Sequence, residues 1–309
     1  MTNNRQGFFF AFTAAVLLSL AGCGGSNSGS GEKTGSLSLG VSDGPIHNAV
    51  KVCIAFNEVE LKGEGAPFTI EFGDVQNVNL LDFQGANAAP LLFNEKIPAG
   101  EYQWVRLGVT AELGGTGGTG DDPGSSLCAG DASYIAMDGE TTHNLYVPSG
   151  AQSGLKLING FTIPANRSAD LTAEFDLMRS ITAPPGLNPD VVFRPTVRLV
   201  SDLEVGTLTG QVSNEMATAE ACEPSMFVFE NGVTPNGIVD GVEDSEDPIA
   251  TAMVNEQMDG ENITYHYSIG FLLAGDYEVA FTCDGETFEP VDGKPATITA
   301  QDVTTVDFP

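Results

Sequence analysis

Val50-Lys51-Val52-Cys53-Ile54-Ala55-Phe56 decides the fold, because apolar side chains at every second position have the period of a β-strand. Val50, Val52, Ile54 and Phe56 share one face, and Lys51, Cys53 and Ala55 share the other. The alternation then slips. Val59 and Leu61 continue it on the opposite phase, so the spacing predicts a β-bulge at Asn57-Glu58.

The same period runs outward in both directions. Leu37, Leu39 and Val41 alternate with small polar residues upstream. Residues 68–72, 102–109, 155–163, 171–177 and 191–200 read as strands downstream. Turn residues fill the gaps, at Asp43-Gly44-Pro45, Pro98-Ala99-Gly100, Pro148-Ser149-Gly150 and Pro184-Pro185-Gly186. No window sustains an amphipathic helix. Short strands with frequent turns predict an all-β protein built as antiparallel sandwiches.

A second unit opens near Gly206, with Gly206-Thr207-Leu208-Thr209-Gly210-Gln211-Val212 as its first strand. Further strands are expected at 226–229, 265–271, 277–281, 296–300 and 303–308. The chain therefore divides into two β-sandwich domains, 36–204 and 205–309, behind an N-terminal segment. Pro98-Ala99-Gly100-Glu101-Tyr102 is echoed by Leu273-Ala274-Gly275-Asp276-Tyr277. So short an echo reads as a recurrent turn-into-strand solution, not as a duplicated domain.

The N-terminus carries an address. An apolar run over residues 8–20 ends in Leu20-Ala21-Gly22-Cys23, behind a weak basic region whose one cation is Arg5. The run is too short to span a bilayer and ends in small residues, as a cleavage site does. It resembles a bacterial lipoprotein signal, which implies that 1–22 is removed and Cys23 is acylated. Each buried methylene would contribute about 0.8 kcal/mol to anchoring. Gly24, where aspartate would signal inner-membrane retention, resembles outer-membrane cargo. Residues 23–35 then form a lipidated Gly/Ser tether.

Charge excludes some partners. The chain has 42 acidic and 12 basic residues, a formal net charge of -30. Such a surface repels nucleic acid and anionic headgroups. It suits salty surroundings that screen self-repulsion, which is the favoured reading, or carboxylates gathered around divalent cations. Without Cys23, four cysteines remain: Cys53, Cys128, Cys222 and Cys283. An even count suits an oxidising compartment and allows three connectivities. Cys53–Cys128 with Cys222–Cys283 is preferred, because it puts one bridge in each domain. Zinc is the rival, but no C-x-x-C or H-x-x-x-H spacing supports it.

Several stretches together resemble a known family. They are Gly35-Ser36-Leu37-Ser38-Leu39 running to Asp43-Gly44-Pro45, and Ile97-Pro98-Ala99-Gly100-Glu101-Tyr102 with Val105-Arg106-Leu107. Leu145-Tyr146-Val147-Pro148-Ser149-Gly150 with Gly154-Leu155-Lys156-Leu157 is the most distinctive. Asp176-Leu177-Met178-Arg179-Ser180-Ile181 and Arg194-Pro195-Thr196-Val197-Arg198 complete the set. They are similar to the bacterial lipoprotein family called domain of unknown function 4382, over roughly residues 35–203. The second unit resembles a carboxypeptidase regulatory-like or transthyretin-like sandwich, through its Gly-x-Leu-x-Gly-x-Val opening and Ala274-Gly275-Asp276-Tyr277-Glu278-Val279. Both resemblances imply accessory β modules and offer no catalytic residues to carry over.

Chemical motifs are few. Gly40-Val41-Ser42-Asp43-Gly44 satisfies G-x-S-x-G, but a nucleophile elbow needs a following helix and Pro45 stands there instead. His47, His143 and His266 lie in different segments and read as packing or surface residues. Residues 114–120 (GGTGGTG) lack the lysine and helix of a phosphate cradle and precede Asp121-Asp122, so they read as a flexible loop. Arg106, Lys156, Arg194 and Arg198 stand out in so acidic a chain. They read first as ion-pair partners and second as an anion or sugar-acid pocket. In residues 236–247, Asp240, Glu243, Asp244, Glu246 and Asp247 cluster among glycines. They are the candidate calcium ligands, against the plainer reading of a solvated acidic loop.

The expected function is a membrane-anchored, non-catalytic binding or structural module of the cell envelope, with polysaccharide or envelope protein as partner. No cofactor is required beyond a candidate Ca2+. A calcium-stabilised adhesin-type module is the alternative, and an envelope hydrolase with an unrecognised site comes third.

Overall fold

The slip at Asn57-Glu58 is a bulge: the strand Ala49–Gly63 shifts register between Phe56 and Glu58 against both neighbours that flank it there. The computed structural model describes residues 33–309, apart from 45, 47–48, 116, 123–124, 138–141, 149–153, 183–189, 238–245 and 261. The signal and tether readings, Cys23 included, concern residues outside that range. Residues 33–309 form one compact unit.

In chain order the first half supplies β1 (Thr34–Gly44), β2 (Ala49–Gly63), β3 (Phe68–Asn79), β4 (Ala89–Pro98) and β5 (Gly100–Val109). Shorter strands follow as β6 (Tyr134–Met137), β7 (Thr142–Tyr146), β8 (Leu155–Leu157) and β9 (Phe161–Ile163). β10 (Ser168–Asp176), β11 (Ile181–Thr182), β12 (Val191–Phe193) and β13 (Thr196–Ser201) complete it. The second half begins with β14 (Val205–Val212), β15 (Ser225–Glu230), β16 (Ala250–Met253) and β17 (Asn255–Asp259). It ends with β18 (Asn262–Leu273), β19 (Gly275–Thr282), β20 (Phe288–Ile298) and β21 (Val303–Thr305). Among the described residues, helix is confined to short turns, α1 (Leu177–Ser180), α2 (Asn214–Ala217) and a 3-10 turn at Leu80–Asp82.

The first half pairs a sheet ordered β13-β10-β1-β4 with a larger one ordered β11-β12-β7-β6-β2-β5-β8. On the larger sheet β3 also pairs with β2, and β9 with β5. The second half pairs β17-β18-β14-β21 with β16-β15-β19-β20, and these sheets share no strand with the first half. Most pairings are antiparallel, as the alternation predicts. Among the described strands three pairings are parallel: β1 with β10, β7 with β12, and β14 with β21. β9 lies on the large sheet, so the chain changes sheets before laying β10 beside β1. Such a crossover delivers the second strand in the same direction as the first.

Each half has its own core. Leu37, Leu39, Val41, Ile54, Phe56, Val59 and Leu107 belong to the first, where Phe175 meets Phe56 edge-on at 6.4 Å and stacks on Phe193 at 6.3 Å. Leu208, Met226, Val228, Ile269, Val279 and Ile298 belong to the second. A smaller aromatic cluster of Phe227, Phe229 and Phe288 lies on the outer face of β15, and Met178 of the first half packs against it.

Some strands depart from the simple pattern. β2 is buried on both faces: Val52, Ile54 and Phe56 enter the core, while Cys53 packs under Cys128 and Tyr134. Val50 falls out of step and is 46% exposed, because β2 also shifts register against β6 between Ala49 and Lys51. The expected strand 155–163 breaks into β8 and β9 on either side of Ile158-Asn159-Gly160, both paired with β5. The expected strand 191–200 breaks at Arg194-Pro195, where β12 stays in the large sheet and β13 enters the small one. Proline has no N–H to give a ladder, so the chain changes sheets there.

The echo between the halves reaches further than five residues. Tyr102 donates its hydroxyl to the Pro98 carbonyl at 2.8 Å, and Tyr277 donates to the Leu273 carbonyl at 2.7 Å. Next to these, the Ala99 N–H bonds to Lys33 O and the Ala274 N–H to Glu204 O. Gly35 and Gly206 open β1 and β14, and a Cβ at either would collide with a carbonyl, of Pro164 or of Thr299. Asn166 and Gln301 both adopt φ of +59° and donate to the carbonyls of Thr34 and Val205. The two halves are built on one frame, not merely on one turn. Each also holds one disulfide, Cys53–Cys128 and Cys222–Cys283, with Cα–Cα distances of 5.8 and 4.4 Å. This is the preferred connectivity.

Candidate functional site

The parallel register of β1 and β10 sets Ser42 beside Glu174, Asp43 beside Phe175 and Gly44 beside Asp176. Three carboxyl groups are thereby gathered at the ends of two central strands, and all three are buried. β13 crosses β10 with Arg198 opposite Glu174, and the two form an ion pair. Asp176 caps α1, its Oδ1 accepting from the Arg179 amide at 3.1 Å. That turn points Arg179 at the second half. Its Nη2 lies 3.2 Å from Asp247 Oδ2, and its Nη1 donates to Pro248 O at 3.0 Å. Between the halves lies a cavity of about 120 Å³, lined by Gly44, Glu174, Asp176, Arg179, Arg198 and Thr251 among others.

Electrostatics make this junction unusual. Among the described residues, Asp43, Glu174, Asp176 and Asp247 gather here with Arg179 and Arg198, so more carboxyl groups than guanidiniums are withdrawn from water. Among the described residues, neither Asp43 oxygen, nor Asp176 Oδ2, nor Thr251 Oγ1 finds a hydrogen-bond partner. Burial pushes the Asp43 carboxyl well above its ordinary range, and the charges of Asp176 and Glu174 add to this. The Leu177 amide, which does not close a hydrogen bond to Asp43, opposes that rise. Burial raises Glu174 to about 7 against the pull of Arg198, and the charge of Asp176 helps. Asp176 rises to about 6, again through burial, opposed by the Arg179 amide and guanidinium and by Arg198. The junction therefore takes up protons near neutrality. Among the described residues, the cavity at these groups holds only about 120 Å³.

The stretches quoted above for the family resemblance meet here. Asp43-Gly44, the run from Asp176 to Arg179, and Arg198 come from three places in the chain. Those motifs are visible in the sequence, but nothing in their spacing brings Asp43, Glu174 and Asp176 together as a cluster. The available signal was acid in otherwise apolar strands.

The other candidates are dispersed. Ser42 is fully buried within β1 and donates to Phe83 O at 3.1 Å, so it is no exposed nucleophile. His266 Nε2 lies 3.0 Å from Thr264 Oγ1, on β18. His47 lies outside the described residues. The glycine loop is fastened at its ends: Gly114 donates to Asp190 at 2.8 Å, and beyond the loop Asp121 pairs with Lys51 at 2.7 Å. Lys51, only 1% exposed, also donates to Asp122 O, and Tyr134 donates to Asp121 at 2.7 Å. Burial alone would raise Asp121, but the Lys51 and Tyr134 hydrogen bonds hold it below the usual carboxylate range.

Arg106 pairs with Glu58 and Glu60, at 3.1 and 2.7 Å, and Arg198 with Glu174, as the ion-pair reading expects. Lys156 instead lies over the Trp104 ring, 4.5 Å from its centroid. Of the calcium candidates, Asp247 is held by Arg179, and Asp240, Glu243 and Asp244 lie outside the described residues. Among the described residues no group of three or more His, Cys, Asp or Glu is arranged to hold a metal ion. A cavity of about 680 Å³ lies beside Cys283, away from all of these. Its Asp284 is tied into its own turn by the amides of Glu286 and Thr287.

Fold and site together define a disulfide-bridged, all-β protein of two cores joined by a buried carboxyl–guanidinium cluster. The chain belongs to the family described as Domain of unknown function (DUF4382), whose model matches residues 34–195. None of the curated proteins matches it. Among solved structures it is similar to a leucine-rich repeat protein of Bacteroides thetaiotaomicron, at 12% identity and a TM-score of 0.23, over 90% of this chain. It is also similar to the TIE protein of Bacillus anthracis, at 10% identity and a TM-score of 0.19, over 89% of this chain. The chain spans only 26% and 33% of those two proteins. The minor pilin of Streptococcus agalactiae is matched over 88% of this chain and 94% of its own, at 11% identity and a TM-score of 0.21. Scores this low assign no fold, and the architecture above rests on the chain's own sheets. Among the described residues no helix is long and apolar enough to cross a membrane.

Proposed function

We propose that this protein is a non-catalytic binding or structural module of the cell envelope, held at the outer membrane by acyl chains on Cys23. On this reading residues 36–204 and 205–309 are two sandwich domains on a flexible tether, the second of carboxypeptidase regulatory-like or transthyretin-like type. The observation that carries it is the closed state of the junction. Groups with strongly shifted pKa in an enzyme face a cleft that substrate can enter. Here Asp43 is 3% exposed, and the cluster's arginines are engaged in joining neighbouring strands and the two halves. The separate cores support the two-domain division. The Arg179–Asp247 pair weighs against calcium at Asp247, since a guanidinium already occupies that carboxylate. The partner is a polysaccharide or an envelope protein, not a nucleic acid. Retention of envelope fractions and arrayed glycans on the immobilised protein, without their turnover, is the expected result. Hydrolysis of a retained glycan, or no retention at all, would overturn the proposal.

A further inference from the structure

The acidic coat has a gap. Residues 141–169 contain no Asp or Glu, and residues 177–201 contain only Asp190, in a chain with 42 acidic residues. Asp190 is committed elsewhere, accepting from the Gly114 amide and the Asn144 side chain, each at 2.8 Å. The two stretches come together around an open groove of about 370 Å³ whose walls include Pro148, Lys156, Arg194, Pro195 and Val197. That volume lies within the range of small-molecule sites.

The groove's two cations differ from the four bases that ion pairs engage among the described residues. Lys51, Arg106, Arg179 and Arg198 each hold a carboxylate. Among the described residues no ion pair joins Lys156 or Arg194 to an acid, although acids outnumber bases by more than three to one. Lys156 is steadied by the face of Trp104, a cation–π contact that leaves its charge uncompensated. Arg194 stands exposed at the corner where the chain passes from one sheet to the other.

We infer that this groove binds a saccharide carrying an isolated carboxylate, with Arg194 and Lys156 on the acid group and Pro148, Pro195 and Val197 against the sugar ring. The inference rests on the binding-module reading and adds its ligand class. A guanidinium fork matches a carboxylate with two parallel hydrogen bonds, and an ammonium beside it adds a point charge. Aliphatic and proline walls suit the C–H face of a pyranose. A densely charged polymer would meet the repulsion of a chain with net charge -30, whereas a sparsely charged glycan presents its one acid to this gap.

Trp104 is the chain's only tryptophan and touches Lys156, so its emission reports on the groove. The test titrates the full-length protein in detergent with a trisaccharide ending in glucuronic acid. The same trisaccharide ending in glucose, and triglutamate, are the comparison ligands. Calorimetry follows the variants. The acidic sugar should shift the emission saturably, and the neutral sugar should bind about tenfold more weakly or worse, the scale of one charge-assisted hydrogen bond. Arg194→Gln should weaken the acidic sugar about as much. Arg167→Gln, an equal loss of charge outside the groove, should leave binding unchanged. Equal binding of the neutral sugar or of triglutamate, indifference to Arg194→Gln, or no binding by the unaltered protein would each overturn the assignment. If glycan retention survives Arg194→Gln, the groove is wrong and the module reading stands. If the protein retains no glycan or envelope fraction at all, it is the module reading that fails.

Discussion

Arg179 of the first half grips Asp247 of the second, Nη2 to Oδ2 at 3.2 Å, with both side chains largely withdrawn from water. The pair closes a cluster in which the acids outnumber the guanidiniums. Arg179→Ala would take from buried Asp247 the guanidinium that holds it, and losing one partner of a buried pair costs about 3–5 kcal/mol. The variant should therefore unfold at distinctly lower denaturant concentration. Arg179→Ala combined with Asp247→Asn should recover part of that loss. If the single and double variants unfold alike, the pair contributes nothing to joining the halves.

The cluster also sets the sign of a pH dependence. Glu174 at about 7, Asp176 at about 6 and Asp43 well above its ordinary value all titrate higher in the folded chain than in the unfolded one. Between the ordinary carboxylate range of roughly 4 and the folded values, the native state holds protons that the unfolded state has lost. This contribution is complete below the unfolded values, and the parts from Asp176 and Glu174 are lost as pH rises through about 6 and about 7. Asp121, held low by Lys51 and Tyr134, contributes in the opposite sense and only at lower pH. Thermal melting should show a higher midpoint at pH 5 than at pH 8. Asp43→Asn, which removes one of the charges, should raise the midpoint at pH 8 and change it little at pH 5. A lower midpoint for Asp43→Asn at pH 8 would contradict this picture.

Lys51 and Asp121 form a second buried pair, their side chains 2% and 6% exposed. The pair fastens the segment that also carries Cys128 over the outer face of β2. Lys51→Met should destabilise the fold by about 3–5 kcal/mol in chemical unfolding, because Asp121 is left buried and unpaired. Lys51→Met with Asp121→Leu should be much less damaging, since it removes the stranded charge. An unfolding midpoint for Lys51→Met matching that of the unaltered chain would show the pair to be inert.

The strands were largely legible in the sequence because their side chains alternate, and the bulge at Asn57-Glu58 could be placed from the phase slip alone. Alternation reports one buried face, so it missed that Lys51 and Cys53 are covered as well. Their cover comes from residues about seventy positions away, and no local pattern carries that information. Pro195 marked a turn less clearly than Pro98 or Pro148, yet it is where the chain changes sheets. The carboxyl cluster was hidden for a related reason. Asp43, Glu174 and Asp176 become neighbours through a parallel pairing that local antiparallel hairpins do not foretell. The frame shared by the halves was visible only as its tyrosine turns, because hydrogen bonds at Ala99 and Ala274 need no particular side chain.

The central claim is a module tethered to the envelope by lipid, and its most direct measurement is mass spectrometry of the mature N-terminus. The account predicts a chain beginning at Cys23, its mass raised by diacylglycerol and an amide-linked acyl chain, and recovered with membranes. Cys23→Ala should be absent from the membrane fraction. An unmodified Cys23 in the exported protein, or Cys23→Ala that still sediments with membranes, would contradict the account.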